Sequence, residues 1–536
     1  MASPPVTAPA IPLHERPEIH ARRWFLLAIM CLSLVLVVMS VSGLNTALPT
    51  IQRDLQASAS ELQWIVDSYA VLFAGLLLSA GAIGDRFGRR GALVAGLVVF
   101  GVGALMGGLA SDATQVIGSR AVMGIGAAFI MPATLSIITS IFPPEERPRA
   151  IAIWAGFAGA GASIGPIVTG GLLEGFWWGS TLLVNVPIVL AILAAVWTFA
   201  PDSRDDTHTP LDPVGALLSL IGLSSLIFGI IQGPEDGWTS GLVLAAFLVA
   251  GVSLSLFVRW ERRSDHPMLP LTLFHDRRFS TGSGVITLAF FVMFGFFFLI
   301  TQYLQFGRGY SALEAGLAGL PASLAFLVFA PRSAALAERY GAGRVMALGL
   351  AVVAVGFALL TTLTTDTPYL VIGAAFALLG AGMSITAAPA TSEIMTSVPL
   401  SKAGVGSAVN DTTRELGGAL GIALLGSIAN TAYRSSIDLD GIQLPAGVRT
   451  SAEESVGAAA AVADGVPGSA QVVAEASSAF TDAFTLANSV ALGITLAAAA
   501  AVLAFSRRGG GGPVVDEGVE DYDDLGLLPV GADARD

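Results

Sequence analysis

Apolar runs long enough to cross a lipid bilayer recur along nearly the whole of this 536-residue chain. A helix needs about 20 apolar residues to span the hydrocarbon core, because it rises only about 1.5 Å per residue. Since 54% of the residues are hydrophobic and only 12% are charged, a soluble fold could not cover the apolar surface. The pattern predicts an all-α polytopic membrane protein with fourteen transmembrane helices. The predicted spans are 24–46, 64–84, 92–110, 114–138, 151–173, 180–200, 214–231, 241–258, 281–303, 313–331, 345–364, 368–392, 404–430 and 483–505.

The basic residues orient these spans. With the N-terminus inside, all but six of the 27 lysines and arginines fall in cytoplasmic segments, as the positive-inside rule requires. Four of the six lie outside, and the other two, Arg120 and Arg414, lie within predicted spans. We therefore expect a multi-pass protein of the cytoplasmic membrane with both termini in the cytoplasm.

An internal repeat predicts how the spans are grouped. The segment Pro132-Ala-Thr-Leu-Ser-Ile-Ile-Thr-Ser140 returns as Pro389-Ala-Thr-Ser-Glu-Ile-Met-Thr-Ser397, once in span four and once in span twelve. A weaker echo links Asp85-Arg-Phe-Gly-Arg-Arg-Gly91 after span two with Glu338-Arg-Tyr-Gly-Ala-Gly-Arg344 after span ten. This register predicts two pseudo-symmetric six-helix bundles with spans seven and eight inserted between them. Repeated bundles of this kind can expose a central site alternately to either side of a membrane.

The same register sets the domain boundaries and leaves one long loop. This outer loop is rich in alanine with glycine and proline breaks, so it is either an extracellular lid or a solvated spacer. The predicted parts are an N-terminal arm (1–23), the first bundle (24–200), a linker with the inserted spans (201–280), the second bundle (281–505) with its outer loop (433–482), and an acidic, disordered tail (506–536).

Composition excludes several kinds of active site. Cys31 is the only cysteine, and all five histidines fall outside the apolar runs, which argues against a metal or haem site within the membrane. Lys402 is the only lysine and follows no GxxxxGK sequence, so the chain has no P-loop. No basic face for nucleic acid is present. We expect no enzymatic activity and no cofactor.

A motif rich in glycine and arginine joins spans two and three. Glycines let helix ends approach closely, and a carboxylate beside arginines can form charge-assisted hydrogen bonds across an interface. A basic loop that serves topology alone is the alternative. The motif resembles the signature G-x-x-x-D-R-x-G-R-R/K of the major facilitator superfamily, in which this loop latches the two bundles together in the outward-facing state. The matching residues are Gly81, Asp85, Arg86, Gly88, Arg89 and Arg90.

Span five carries a second motif. Gly161 and Gly165 are one turn apart, a spacing that lets helix backbones touch, and Pro166 favours a kink. Together with Gly170 and Gly171 they resemble the family's antiporter signature, G-x-x-x-G-P-x-x-G-G, which implies proton-coupled export. Tight packing alone is the other interpretation. The chain departs from the signature at Thr169, where a glycine is expected.

Two charged residues in the first bundle are candidates for proton coupling. An arginine in hydrocarbon is costly unless it is paired or hydrated, and Arg120 resembles the family's span-four arginine, which faces the cavity and assists proton transfer. Asp67 lies about one turn inside span two, where a carboxylate can hold either a proton or a cation. The string Trp64-Ile-Val-Asp67-Ser-Tyr69 resembles the fourteen-span drug:proton antiporters of the QacA and EmrB type, which implies a coupling role for Asp67. A structural ion pair for Arg120 and a hydrated interfacial position for Asp67 are the alternatives.

Span thirteen offers two further carboxylates. Asp411 and Arg414 are three residues apart on one helix face, so they can neutralise each other. Glu415 is then the freer group, and either Glu415 or Asp411 is a candidate coupling site. This string also resembles the fourteen-span branch.

Aromatic residues suggest where a substrate binds. Phe290, Phe294 and Phe297 share one face of span nine and could line a cavity that binds lipophilic cations by cation–π contact; Tyr69 is a further candidate. Packing and contact with lipid explain these side chains equally well.

The resemblance covers roughly residues 22–506 and implies a proton-coupled multidrug efflux antiporter, active as a monomer and driven by the proton gradient. Ser40 stands where the branch has an acidic residue, so one potential proton or cation site is absent, and neither proton number nor preference for dications follows. A dedicated exporter of one antibiotic, metabolite or lipid is the nearest alternative. A sensor or scaffold built on a transporter fold is a remote one.

Overall fold

The computed structural model describes residues 12–57, 59–203, 212–264, 266–440, 442, 444–463 and 469–508. Within them, fourteen helices are long and apolar enough to cross a membrane, which confirms the predicted fold. The predicted arm before residue 12 and the acidic tail after residue 508 lie outside the described residues. The spans are Pro17–Leu55, Ala59–Phe87, Arg89–Gly108, Ala113–Ile141, Arg147–Leu173, Ser180–Leu183 with Asn185–Phe199, Pro213–Asp236, Gly241–Glu261, Arg277–Gln302, Ala312–Ala318 with Leu320–Tyr340, Ala342–Leu360, Tyr369–Thr396, Ala403–Ser436 and Ser469–Arg508.

Because the spans are even in number and alternate in direction, the first begins and the last ends on the same side of the molecule. We call this side the terminal face and the opposite side the loop face. Several helices extend past their predicted limits: span fourteen begins at Ser469 rather than at 483. Hydropathy marks only the apolar part of such a helix, whereas backbone hydrogen bonding continues into polar sequence.

Equivalent pairs of helices pack together in the two halves. Span one packs on span five, three on four, and two on four; in the second half nine packs on thirteen, eleven on twelve, and ten on twelve. Spans four and twelve, which carry the sequence repeat, are buried over most of their length, and the repeated Pro132 and Pro389 both lie inside their helices. Each repeat therefore forms the packed centre of its own bundle.

The weaker sequence echo has a conformational basis. Gly88 precedes span three with φ 112°, and Gly341 precedes span eleven with φ 86°. Both values are strained for residues with a Cβ, so the same tight turn recurs at the terminal face of each half. The acidic residues differ, however: Asp85 is buried, whereas its counterpart Glu338 is exposed.

The inserted helices attach at the edge of the bundle interface. Spans seven and eight pack on each other, and span seven also packs on span two of the first half and span thirteen of the second. The Ser224 hydroxyl donates to the Val71 carbonyl at 3.2 Å. At the terminal face, Lys402 donates to the Pro267 carbonyl at 3.2 Å, which ties the segment after span eight to the start of span thirteen.

The long outer loop is shorter than predicted and is partly folded. Residues 469–482 belong to span fourteen, and two helices, Ala446–Glu454 and Val456–Ala463, occupy the described part of the loop. These helices pack on each other, on the segment Tyr303–Gly307 that follows span nine, and on spans thirteen and fourteen. The Tyr433 hydroxyl donates to the Ala452 carbonyl at 2.7 Å. The described part of the loop is thus packed on the second bundle.

Candidate functional site between the bundles

The terminal face is closed by a small set of polar contacts between the halves. Asp85 Oδ1 accepts the Gly404 backbone N–H at 2.9 Å, and Asp85 Oδ2 accepts the Val405 N–H at 3.1 Å. Both amides lie in the first turn of span thirteen, where unpaired N–H groups and the helix dipole favour an anion. Arg89 donates to Asp85 Oδ1 at 2.9 Å and also to the Leu400 carbonyl. We call these contacts the latch.

A glycine makes the latch possible. A Cβ on Gly81 would lie 2.5 Å from the Gly404 carbonyl oxygen, so only glycine lets spans two and thirteen approach so closely. Arg90 donates to the Trp197 carbonyl at 2.5 Å within the first half, and Arg86 lies over the Phe87 ring.

A second ion pair lies at the terminal face within the first half. Arg23 donates to both Glu146 oxygens, at 2.7 and 3.0 Å. This hydrogen bond lowers the pKa of Glu146 below its usual value, because it favours the charged carboxylate.

The glycines of the span-five motif pack against span one. A Cβ on Gly165 would lie 2.6 Å from the Met39 carbonyl oxygen, and one on Gly161 would contact Val38 at 3.0 Å. Pro166 instead faces span ten, where a Cβ on Gly316 would lie 3.3 Å from the proline ring. A Cβ on Gly171 would meet nothing within 4 Å. The motif thus combines close packing within the first half and contact with the second.

The two departures from the family pattern meet at one place. Ser40 and Thr169 line a cavity of about 10 Å³ together with Thr181 and Asn185, enough for about one water molecule. Among the described residues, Ser40 Oγ and Asn185 Oδ1 are buried without a hydrogen-bond partner. Neutral polar groups therefore occupy the region where the branch has a carboxylate.

Arg120 is buried in the first half and lies against span two. Its Nε donates to the Ile65 carbonyl at 3.2 Å, and its guanidinium lies 4.4 Å from the centre of the Tyr69 ring. Asp67 is also buried, with 7% of its surface exposed. Since successive helical residues turn by about 100°, Asp67 points to the side of span two roughly opposite the Arg120 contacts. The ring of Tyr69 is already covered by Arg120.

Polar side chains connect spans twelve and thirteen. The Thr391 hydroxyl donates to Asn410 Oδ1 at 3.0 Å, and Asn410 Nδ2 donates to Asp411 Oδ1 at 3.2 Å. Arg414 reaches the same Asp411 oxygen at 3.5 Å, a long contact for an ion pair. Asp411 Oδ2 is buried without a partner among the described residues. Glu415 lies within electrostatic range of Tyr69, which belongs to the first half.

Aromatic rings hold Arg414 at the interface. Its guanidinium lies 4.6 Å from the centre of the Phe290 ring and 5.9 Å from that of Trp154, which belongs to the first half. Phe294 contacts the Phe290 ring edge to face at 5.5 Å. Phe297 is 38% exposed. The structure thus brings Phe290 and Phe294 together beside Arg414 and leaves Phe297 at the surface.

The family of the chain follows from comparison with known proteins. A model described as Major Facilitator Superfamily matches residues 30–422, which is more than half of the sequence. The chain belongs to the major facilitator superfamily. The fourteen spans and the paired bundles are those that the sequence resemblance implied, and the chain is therefore a multi-pass membrane transporter.

Similar members of the superfamily include proteins named for drug efflux or resistance. The multidrug efflux pump LfrA of Mycolicibacterium smegmatis is 38% identical over 494 residues, covering 91% of this chain and 97% of that protein. The methyl viologen resistance protein SmvA of Salmonella typhimurium is 32% identical, covering 88% and 90%. The tetracenomycin C resistance and export protein of Streptomyces glaucescens is 31% identical, covering 76% of each chain.

A solved structure of the superfamily has the same fold. The crystal structure of the human organic anion transporter MFSD10 matches 90% of this chain and 100% of that chain with a TM-score of 0.59. The two sequences are 14% identical, so the likeness concerns the fold alone.

Three parts of this site were missed in the sequence. Trp154 is one apolar residue among many, the amides of Gly404 and Val405 belong to the backbone, and Asn185 lies at a helix break that hydropathy does not mark. The asparagine shortly before Arg414 carried a signal, because Asn410 lies within a predicted membrane span and buried amides need partners.

Proposed function

We propose that this superfamily member is a proton-coupled multidrug efflux antiporter of the cytoplasmic membrane. It would export lipophilic or cationic compounds by alternating access, with both termini in the cytoplasm and a monomer as the functional unit. The observation that carries the proposal is the latch at one face of two similarly packed bundles. A few contacts that can break as a unit allow two discrete arrangements of the halves.

The positions of the charged groups support a coupling role. Asp67, Asp411 and Arg120 are buried in the spans, and Glu415 lies within electrostatic range of Tyr69 in the first half. A proton and a cationic cargo carry the same charge, so they compete for one buried carboxylate. Entry of a proton would then release cargo on the outside, and the proton gradient alone would drive the cycle without a cofactor. The names of the relatives support drug-like cargo.

The test uses the full chain in liposomes with an imposed pH difference and a fluorescent cationic dye. Asp67→Asn should abolish dye transport driven by the gradient, because the amide cannot bind and release the proton. Asp54→Asn is the matched control, since Asp54 is exposed at the end of span one, and it should transport normally. Equal transport by Asp67→Asn, or wild-type transport that persists after the gradient is collapsed, would contradict the proposal.

A dedicated exporter is the second candidate, favoured by similarity to the tetracenomycin C resistance and export protein. Susceptibility of an efflux-deficient host to a broad panel of drugs separates the two candidates. Protection against several unrelated compounds supports multidrug efflux, whereas protection against one compound supports a dedicated exporter.

A further inference from the structure

Three polar groups around Arg414 are incompletely satisfied. The guanidinium contacts Asp411 at 3.5 Å, which is long for charged partners. Asp411 and Trp154 are each only 1% exposed. Among the described residues, neither Asp411 Oδ2 nor Trp154 Nε1 has a hydrogen-bond partner. Buried polar groups are nearly always paired, so an exception at a bundle interface indicates a site that a ligand completes.

The two rings that face Arg414 come from opposite halves of the molecule. Trp154 lies in span five and Phe290 in span nine, 5.9 and 4.6 Å from the guanidinium carbon. The Phe290 contact lies within the range of favourable cation–π interaction, and the more distant Trp154 ring is at its limit. A cation held there touches both bundles and is released when the bundles part.

We propose that Trp154 and Phe290 form a seat for a singly charged, planar aromatic cation, and that Arg414 occupies this seat when no cargo is bound. The proposal rests on the proposed export of cationic compounds and names the residues that select them. A flat cation with delocalised charge matches the shape and the weak hydration of a guanidinium. Arg414 thus acts as a tethered competitor of the cargo.

Displacement of Arg414 has a consequence for the carboxylates. A guanidinium that leaves the rings can close the 3.5 Å gap to Asp411 and donate to the unpartnered Oδ2. Cargo in the seat and a tight Arg414–Asp411 pair therefore occur together. In the empty state the rings hold Arg414, and the carboxylate is only partly neutralised.

Equilibrium binding to the purified full-length protein tests the seat without any gradient. The probes are ethidium, a planar cation, and Nile red, an uncharged planar dye. Trp154→Leu should weaken ethidium binding about tenfold, the loss expected for one buried cation–π contact, and should leave Nile red binding nearly unchanged. Trp154→Phe keeps a ring and should restore most of the affinity. Trp178→Leu, which removes another buried tryptophan of the first half, is the matched control.

A second variant tests whether Arg414 competes with the cargo. Arg414→Gln should tighten ethidium binding several-fold, with Nile red again unchanged, because the seat is then vacant. Weaker or unchanged ethidium binding by this variant, or equal effects of Trp154→Leu on both dyes, would overturn the proposal. If Arg414→Gln does not fold, the contrast between Trp154→Leu and Trp154→Phe decides. If the wild-type protein shows no gradient-driven dye transport but ethidium binding follows the pattern above, the proposed coupling is refuted while the seat remains supported.

Discussion

At the scale of single residues, the two arginines within the spans share one solution to burial. Arg120 lies on the Tyr69 ring and a backbone carbonyl, and Arg414 lies on Phe290 with one distant carboxylate contact. Rings and carbonyls lower the cost of a buried cation without fixing it in a tight ion pair. Such a cation can change partners, as transport requires.

The Arg23–Glu146 pair gives a prediction on pH and stability. Its hydrogen bonds lower the folded-state pKa of Glu146, so the pair stabilises the protein above the unfolded pKa of about 4.3. That stability is lost as pH falls through the lower folded-state pKa. Glu146→Gln should therefore cost about 0.2–1 kcal/mol at pH 7, the range for a partly exposed pair, and nothing below both pKa values.

Thermal unfolding of the purified protein between pH 7 and pH 3 measures this difference. Glu145→Gln is the control, because Glu145 is exposed beside Glu146. If the difference in unfolding temperature between Glu146→Gln and wild type stays constant as pH falls, the predicted pH dependence is wrong.

At the scale of elements, two glycines at the start of span three allow the effects of backbone strain and of helix propensity on stability to be tested separately. Gly88 has φ 112°, and a Cβ there would also lie 2.7 Å from Asp202 Oδ1. Gly88→Ala should destabilise the protein by roughly 1–3 kcal/mol. Gly91, three residues on and within span three, has nothing within 4 Å of its Cβ position, so Gly91→Ala should be neutral or stabilising by up to about 1 kcal/mol.

Cys31 makes this prediction simple to measure. It is the only cysteine in the chain and is 1% exposed, so a thiol-reactive dye reports unfolding directly. Equal unfolding midpoints for Gly88→Ala and Gly91→Ala would show that the turn does not need glycine.

At the scale of the whole molecule, we expect the latch to control which face of the interface is closed. Each hydrogen bond to a charged group contributes about 1.5–3 kcal/mol, so Asp85→Asn should shift the population between bundle arrangements by about tenfold or more. Glu338→Gln is the control, because Glu338 holds the equivalent position in the second half and is exposed.

Spin labels measure this shift as a change in distance between the halves. Glu145 and Tyr340 are exposed at the terminal face, one in each half, and Cys31→Ser removes the native thiol. With labels at cysteines placed at these two positions, Asp85→Asn should populate a longer distance that wild type and Glu338→Gln lack. An unchanged distance distribution would show that other contacts hold the terminal face closed.

The sequence by itself determined the membrane class, the fourteen spans, the two halves and the inserted pair. These features are local or repetitive: the bilayer sets the length of an apolar helix, and a duplicated unit leaves similar segments at matching positions. The motif glycines were also predictable, since glycine at a turn or a helix crossing has a backbone cause. Family membership follows from the same residues.

Only the tertiary structure decided which groups meet across the interface. The echo motifs of the two halves look alike, yet Asp85 reaches the amides of span thirteen and Glu338 stays exposed. Trp154 and Arg414 are 260 positions apart, and nothing local to either indicates that they share a site. Hydropathy reports how apolar a helix is and not which of its faces the other bundle contacts, so long-range polar pairing emerges only when the halves pack together.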